Sequence, residues 1–203
     1  MFTFAAECFT KATISMKKFV LLAMTLFITT MASAQMSVQL GYLLNTDHTK
    51  DLLGKYSYSY SGIMAAVDYN MKLSGEFGVA PGLGLDFSFN NEEDAKYKEL
   101  GINVPFDFNY RFALSDVVSL SVFAGPSLYF GLLSKDTAEG KEYNYYDNES
   151  RRFNVYLGGG VWCDIKETIR VKAGYKFGLA DVNKLDTETE RNNILSVSVG
   201  YLF

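Results

Sequence analysis

The chain contains one histidine, His48, in a polar stretch that also supplies the other residue types of a hydrolytic site. Thr46 and Asp47 precede it directly. An acid and three serines are close enough in sequence to approach it: Asp51, Ser57, Ser59 and Ser61. Hydrolysis by a serine requires the nucleophile, its base and an orienting group within hydrogen-bond reach. The spacing here is not diagnostic, so we assign no catalytic residue and keep a hydrolase as an alternative.

Charged residues at alternate positions in apolar and glycine-rich stretches form a second group. Four are acidic and four are basic: Asp68, Asp86, Asp107, Arg111, Asp164, Arg170, Lys172 and Lys176. A buried charge with no partner costs several kcal/mol, so equal numbers favour a paired network that fills a closed interior. The alternative is a narrow, switchable ion path. We expect Asp107 or Asp86 to pair with Arg111, Arg170 or Lys172.

The sequence predicts no cofactor or metal site. Beyond residue 34 it offers one histidine and one cysteine, Cys163, with no ligands clustered at metal spacing. Gly158-Gly159-Gly160 is no phosphate loop, because no helix is predicted after it. The formal net charge is −4, which argues against nucleic-acid binding. We interpret the acidic segments 90–94 and 186–191 as solvated loop tips, with divalent-cation bridging to lipopolysaccharide as the alternative.

The sequence alternates between apolar and polar residues with a period of two, and this alternation places the side chains described above. It is clearest between Leu100 and Phe112. There the even-numbered residues are large and apolar, while the odd-numbered ones are small or polar apart from Pro105. Such alternation places the two classes on opposite faces of a β-strand. A long apolar face opposite a face with Asp107 and Arg111 is typical of a transmembrane β-barrel strand.

Eight strands of this kind are predicted. Their expected ranges are 37–44, 58–71, 75–89, 100–112, 117–132, 152–164, 168–179 and 193–203. Tight turns near 72–74, 114–116 and 166–167 alternate with longer connections at 45–57, 90–98, 133–151 and 180–192. Short periplasmic turns, long outer loops and an even strand count are features of bacterial outer-membrane barrels. The predicted fold is therefore all-β: an eight-stranded antiparallel up-and-down transmembrane β-barrel.

Two further features bear on this fold. Aromatic residues crowd the predicted strand ends, as membrane-interface girdles require: Tyr42, Tyr69, Tyr110, Phe112, Phe130, Phe153, Tyr201 and Phe203. Pro81, Pro105 and Pro126 fall inside strands, where proline is unfavourable. We expect each proline to mark a bulge or a weakened position of the ladder.

The first 34 residues predict export. Met16-Lys17-Lys18, an apolar stretch and Ala32-Ser33-Ala34 have the order of a cleaved signal peptide over 16–34. Residues 1–15 precede this signal peptide as an N-terminal extension. The start of translation is therefore either Met1 or Met16. The barrel domain then covers residues 35–203.

Several segments resemble the PorT-like outer-membrane β-barrel proteins of Bacteroidetes-type bacteria. Residues 99–112 are similar to the strand of that family with the pattern Leu-x-x-Pro-(apolar), then Tyr-(basic)-Phe; 123–129, 158–161 and 199–203 are similar as well. The resemblance implies a place in the bacterial outer membrane. It also implies that the terminal Phe203 is an assembly signal for the barrel-insertion machinery.

We therefore expect a monomeric, non-enzymatic integral outer-membrane protein with a structural or interaction role through its outer loops. Its expected partners are outer-membrane lipid, lipopolysaccharide and the barrel-insertion machinery. The alternatives are a narrow solute or ion pore, and a rim enzyme that modifies lipid A at His48. A soluble barrel with an apolar interior is a further rival, which the charges gathered on one face disfavour.

Overall fold

A computed structural model describes residues 35–50, 54–91, 95–138, 141–144, 146, 151–183 and 189–203. The predicted signal peptide and the extension before it lie outside these residues. Within the described part of the chain, no helix is long and apolar enough to cross a membrane.

The described residues form nine strands, and eight of them close a ring. Their bounds are β1 Gln35–Lys50, β2 Lys55–Ser74, β3 Phe77–Asn91, β4 Ala95–Ala113, β5 Val118–Ala138, β6 Lys141–Asn144, β7 Phe153–Ile165, β8 Ile169–Gly178 and β9 Thr189–Leu202. The pairs β1–β2, β2–β3, β3–β4, β4–β5, β5–β7, β7–β8, β8–β9 and β9–β1 are all antiparallel. The predicted eight-stranded antiparallel barrel is confirmed, because no edge remains open in this ring.

The apolar face of every ring strand points outward. In β1 the alternation leaves Val38, Leu40 and Tyr42 exposed, while Ser37 and Gln39 are buried. The same pattern holds around the ring and forms a continuous apolar belt on the outer surface. So large an exposed apolar surface is unfavourable in water and favourable against the hydrocarbon of a bilayer. A soluble barrel would need its apolar side chains inside and its polar ones outside, which is the opposite of what the structure shows.

The two ends of the ring differ. At the short-turn end, β2–β3 and β7–β8 are joined tightly, and Gly75, Lys166 and Glu167 adopt positive φ. Hairpin turns of this kind need positive φ for their twist to match the strands. Gln35 and Phe203 lie at the same end, where the Phe203 N–H donates to the Met36 carbonyl at 2.9 Å. The opposite, long-loop end holds the connections from β1 to β2 and from β3 to β4.

At the long-loop end the strands run further than the sequence predicted. Strand β1 continues from Leu44 to Lys50, and β5 continues to Ala138, where it pairs with the additional short strand β6. A tilted membrane strand needs about 9–11 residues, but β5 has 21. The prediction ended the strands where apolar alternation stops. Beyond the belt, neighbouring strands remain paired through their backbones although the apolar alternation has ended.

The prolines interrupt the ladder without shifting its register. Pairing of β3 with β4 stops at Pro81–Phe106 and resumes at Gly84–Asn103 in the same register. Pairing of β4 with β5 likewise stops at Pro105–Ser127 and resumes at Phe108. The weakened ladder positions that we expected are therefore present. The register shifts of the barrel lie elsewhere, between Lys72 and Ser74 and between Leu100 and Gly101.

An arginine in the belt tests which face meets lipid. Leu40, 69% exposed near the middle of the β1 face, is changed to arginine. We expect the free energy of unfolding from phospholipid vesicles to fall by about 2–4 kcal/mol, the cost of a midplane charge, and Met36→Arg at the belt edge to cost about 0–1 kcal/mol. Urea titration followed by the fluorescence of the single tryptophan, Trp162, measures both. Equal losses would contradict the assignment.

Candidate functional site

The interior near the short-turn end is organised around Arg170 on β8, which is fully buried. Its Nε and Nη2 donate to the two carboxylate oxygens of Asp164 on β7, at 2.7 and 2.9 Å. Its Nη1 donates to Asp68 on β2 at 3.1 Å. The two-pronged contact matches the planar guanidinium to the planar carboxylate, which is the strongest geometry for such a pair.

Asp68 receives additional donors from β1. Ser37 donates its hydroxyl to Asp68 Oδ1 at 2.7 Å, and the Gln39 amide also donates to this carboxylate. Gln39 Oε1 in turn accepts from Ser198 at 2.9 Å. These neutral donors offset the excess of acids here, because three carboxylates share this layer with two cations.

The second cation of this layer is Lys172, whose Nζ lies 2.7 Å from Asp107 Oδ2. Strands β8 and β4 are three positions apart in the ring, so this ion pair spans the barrel interior. The ammonium also lies 4.6 Å from the ring centroid of Phe123, and Phe123 stacks on Trp162 at 5.2 Å. Arg170 lies 4.6 Å above Trp162. Both cations therefore rest on aromatic faces, which stabilise positive charge.

The structure divides the eight predicted interior charges into three groups. Five share the layer described above: Asp68, Asp107, Asp164, Arg170 and Lys172. Asp86 and Lys176 form a second, looser group, linked through Asn103 and Ser127. Arg111 joins neither group, because the β7–β8 turn brings Glu167 within 3.2 Å of its guanidinium at the short-turn end.

An apolar layer lies above the ionic one. Leu43, Ile194, Tyr129 and Tyr156 form a buried cluster, with Met64 packed against it. Tyr129 fits because its neighbour on β4 is glycine: a Cβ at Gly101 would overlap the Tyr129 ring. This layer separates the ionic cluster from the polar space at the long-loop end.

Above the apolar layer, tyrosines of β4 and β5, together with Tyr146, surround Glu99. Tyr97 donates its hydroxyl to Glu99 Oε2 at 2.7 Å, and Tyr129 donates to Oε1 at 2.8 Å. Tyr146 donates to the same Oε1. Three hydroxyl donors therefore satisfy this carboxylate, and no described cation pairs with it.

Asp47 forms the second acidic centre of this space. Its Oδ1 accepts from Asn192 Nδ2 at 2.5 Å, and the same amide contacts the Tyr60 and Tyr156 hydroxyls at 3.1 and 3.0 Å. Its outward neighbours on β1, Thr46 and His48, are polar, so Asp47 lies beyond the apolar belt. Burial is the largest cause that raises the pKa of Asp47 to about 7; the hydrogen bond from Asn192 opposes it, and the carboxylates of Glu190 and Glu99 add to it.

The sequence analysis did not identify the Glu99 and Asp47 centres. The alternation along each strand shows that Glu99 and Asp47 fall on the inward faces of β4 and β1. The alternation does not show which residues they contact, because those residues come from other strands whose register is set by the closure of the ring.

His48 makes one of three cross-strand hydrogen bonds on the outer face. Its Nδ1 lies 2.7 Å from Ser57 Oγ. Thr46 bonds Ser59 at 3.0 Å, and Tyr42 bonds Ser61 at 2.8 Å in the same way. Among the described residues, no carboxylate contacts the other nitrogen of His48. The hydrogen bond between His48 and Ser57 is therefore one of a row of contacts between paired strands. By itself this bond does not make a catalytic triad.

No group of three His, Cys, Asp or Glu side chains among the described residues is placed to hold a metal ion. Cys163 is a half-buried free thiol. Phe203, the predicted assembly signal, is 66% exposed at the short-turn end.

Removing the central cation should destabilise the barrel severely. Arg170→Met leaves Asp68 and Asp164 buried without their main partner, so we expect unfolding to become easier by about 3–5 kcal/mol. Arg111→Met is the matched control. Its pair with Glu167 is exposed, so its loss should cost about 0–1 kcal/mol. Urea unfolding in vesicles, with heat-modifiable gel mobility as a check of folding, compares the two. Similar small losses would show that the buried cluster adds nothing to stability.

Comparison with known proteins agrees with this architecture. The crystal structure of Ail, the attachment invasion locus protein of Yersinia pestis, superposes with a TM-score of 0.50 at 16% identity, over 84% of this chain and 99% of that chain. Neisserial surface protein A superposes with a TM-score of 0.44 at 18% identity, over 82% and 96%. The outer membrane enzyme PagL gives 0.44 at 10% identity, over 83% and 98%. Identities this low describe the fold alone.

No curated protein matches the sequence closely enough to count as a relative. The sequence pattern of one family does match, over residues 30–184, which is most of the chain. That family is described as the outer membrane protein beta-barrel domain. The chain therefore belongs to the outer membrane protein beta-barrel domain family, and it is an integral protein of the bacterial outer membrane.

Proposed function

We propose that the protein is a non-enzymatic, PorT-like outer-membrane barrel that acts through contacts of its outer end with the cell envelope. The observation that carries this proposal is the length of the strands beyond the belt. Strands β4, β5 and β6 form a small paired sheet there, above the membrane. Bacterial barrels place their short turns in the periplasm, so this extension faces outward.

The filled interior supports an anchoring role over a pore. The ionic layer and the apolar layer follow each other along the barrel, and the two interior cavities measure only about 60 and 50 Å³. A water-sized position takes about 10–15 Å³, so each cavity has room for a few waters. A solute pore would need an open route through both layers.

Lysines on the outer end favour anionic lipid as the envelope partner. Lys98 on β4 lies directly opposite Lys135 on β5, and Lys98 is also the cross-strand neighbour of Phe89 at the top of the belt. A second pair, Lys50 and Lys55, stands opposite each other at the β1–β2 tip. Lysines grouped on the outward face of the strands attract anionic lipid, each by about 1 kcal/mol near the membrane surface. The phosphates of lipopolysaccharide supply this negative charge.

The lysine pair gives the first test. The double variant Lys98→Gln, Lys135→Gln should bind bisphosphorylated lipid A about 30-fold more weakly, because each interfacial lysine contributes about 1 kcal/mol. Equilibrium binding to the protein in detergent micelles measures this, with dephosphorylated lipid A as the ligand control. Dephosphorylated lipid A should bind both proteins equally.

The matched control for this test is Lys72→Gln, Lys166→Gln, which removes two lysines at the periplasmic end. Its affinity for lipid A should equal that of the parent protein. If the outer and periplasmic double variants lose affinity equally, the outer end has no special role in lipid binding.

A rim enzyme that modifies lipid A is the second candidate, favoured by the hydrogen bond between His48 and Ser57. Ser57→Ala removes the only described hydroxyl that bonds this histidine. We expect no change in the lipid A species of cells that produce the variant, as measured by mass spectrometry. Cells without the protein provide the baseline. A modification present with the parent protein and absent with Ser57→Ala would establish the enzyme instead.

A further inference from the structure

An interior chamber of about 50 Å³ lies between the ionic layer and the apolar layer. It is lined by Lys172 and Asp107 of the ionic layer and by Leu43 and Ile194 of the apolar layer. Glycines from four strands also line it and leave the space open: Gly84, Gly125, Gly158 and Gly174. The chamber therefore lies at the level of the outer apolar belt, where the two neighbours of Gly84 on β3 are exposed leucines.

Asp86 brings an unpaired oxygen to this chamber. The residue is 3% exposed, and its Oδ2 accepts from Asn103 Nδ2 at 3.2 Å, but its Oδ1 has no hydrogen-bond partner. Oδ1 lies 3.7 Å from the position that a Cβ would take at Gly84, and the atom closest to that position is Ala66 Cβ at 3.5 Å. The free oxygen therefore borders open space on the chamber side of Gly84, and a buried acceptor in such a place requires a donor.

Lys176 on β8 faces the same chamber with unused donors. An ammonium group carries three N–H donors, and the one described hydrogen bond of Lys176 is a long one, to Ser127 Oγ at 3.4 Å. The described contacts join Lys176 to Asp86 only indirectly, through Ser127 and Asn103. A group that accepts from Lys176 and donates to Asp86 would complete the hydrogen bonding of both.

The size and charge of the chamber restrict what fills it. At about 10–15 Å³ per water-sized position, it holds about three to five such positions. Both signs of charge line it, so an ion of either sign would meet a like charge: Asp68, Asp86, Asp107, Lys172 and Lys176. Empty cavities in proteins are apolar, whereas polar cavities of this size hold water.

We propose that the chamber is an ordered water site, in which about three to five water molecules bridge Asp86 and Lys176. One water donates to the free Asp86 Oδ1 and accepts from Lys176 Nζ. Lys172 and Asp107 line the same space, so the waters also connect this looser pair to the ionic layer. Lipid cannot supply hydrogen bonds at this level, and the waters are the partners that replace it.

A crystal structure at a resolution that shows ordered water tests this proposal. We expect density for water within hydrogen-bond distance of both Asp86 Oδ1 and Lys176 Nζ. A direct contact between these two side chains would overturn the proposal. An empty chamber, or a metal ion bound to Asp86 and identified by anomalous scattering, would overturn it as well.

Variants of Gly84 give a second test, by urea unfolding in phospholipid vesicles. Gly84→Ala places a methyl group where the water lies and offers no donor, so the unfolding equilibrium constant should rise about tenfold above that of the parent protein. Gly84→Ser puts a hydroxyl donor beside Asp86 Oδ1 in place of the water, so this variant should unfold like the parent. In a dry chamber both variants would fill empty space, and stabilisation by both would contradict the water site.

The matched control repeats Gly84→Ala in the double variant Asp86→Ala, Lys176→Met, which has neither charge at the water site. Gly84→Ala should not destabilise this background. An equal loss in both backgrounds would assign the effect to the strand itself and not to a displaced water. Heat-modifiable gel mobility verifies that each variant is folded.

Discussion

Every polar group of this chain that crosses the hydrocarbon must find its partner inside the ring, because lipid offers no hydrogen bonds. The backbone meets this constraint by closing eight strands without an edge. The charged side chains meet it through Arg170 and Lys172, which tie three carboxylates from three other strands into one layer. In this layer each buried ion has a partner of opposite charge. The positions of the surrounding glycines follow from the space that the large side chains need.

The interior is therefore ordered along the barrel axis. An ionic layer near the periplasmic end supports an apolar layer, and the apolar layer supports a wall of tyrosines around Glu99 and Asp47. Each layer uses a different physical interaction: ion pairing on aromatic faces, close packing, and neutral hydroxyl donors around a carboxylate. This order places the polar space around Glu99 and Asp47 at the outer end of the barrel.

Alternation along a strand was sufficient to predict the fold. The residues between Leu100 and Phe112 show which side chains face lipid, and the same period recurs in every ring strand. It could not predict which inward residues meet, because this depends on the register between strands distant in sequence. Asp107 and Lys172 were correctly placed on the inward face. Arg111 was also inward, but its partner Glu167 comes from a turn whose positive φ values cannot be read from Lys166-Glu167. The outer tyrosines were missed for the same reason.

The apolar layer of Leu43, Ile194, Tyr129 and Tyr156 has a consequence for how this protein changes over evolutionary time. It insulates the part that secures the fold from the part that faces the environment. Substitutions in the polar space around Glu99 and Asp47, or in the strand extensions, leave the ion pairs below in place. The outer end can therefore vary in sequence while the ion pairs that secure the fold stay intact.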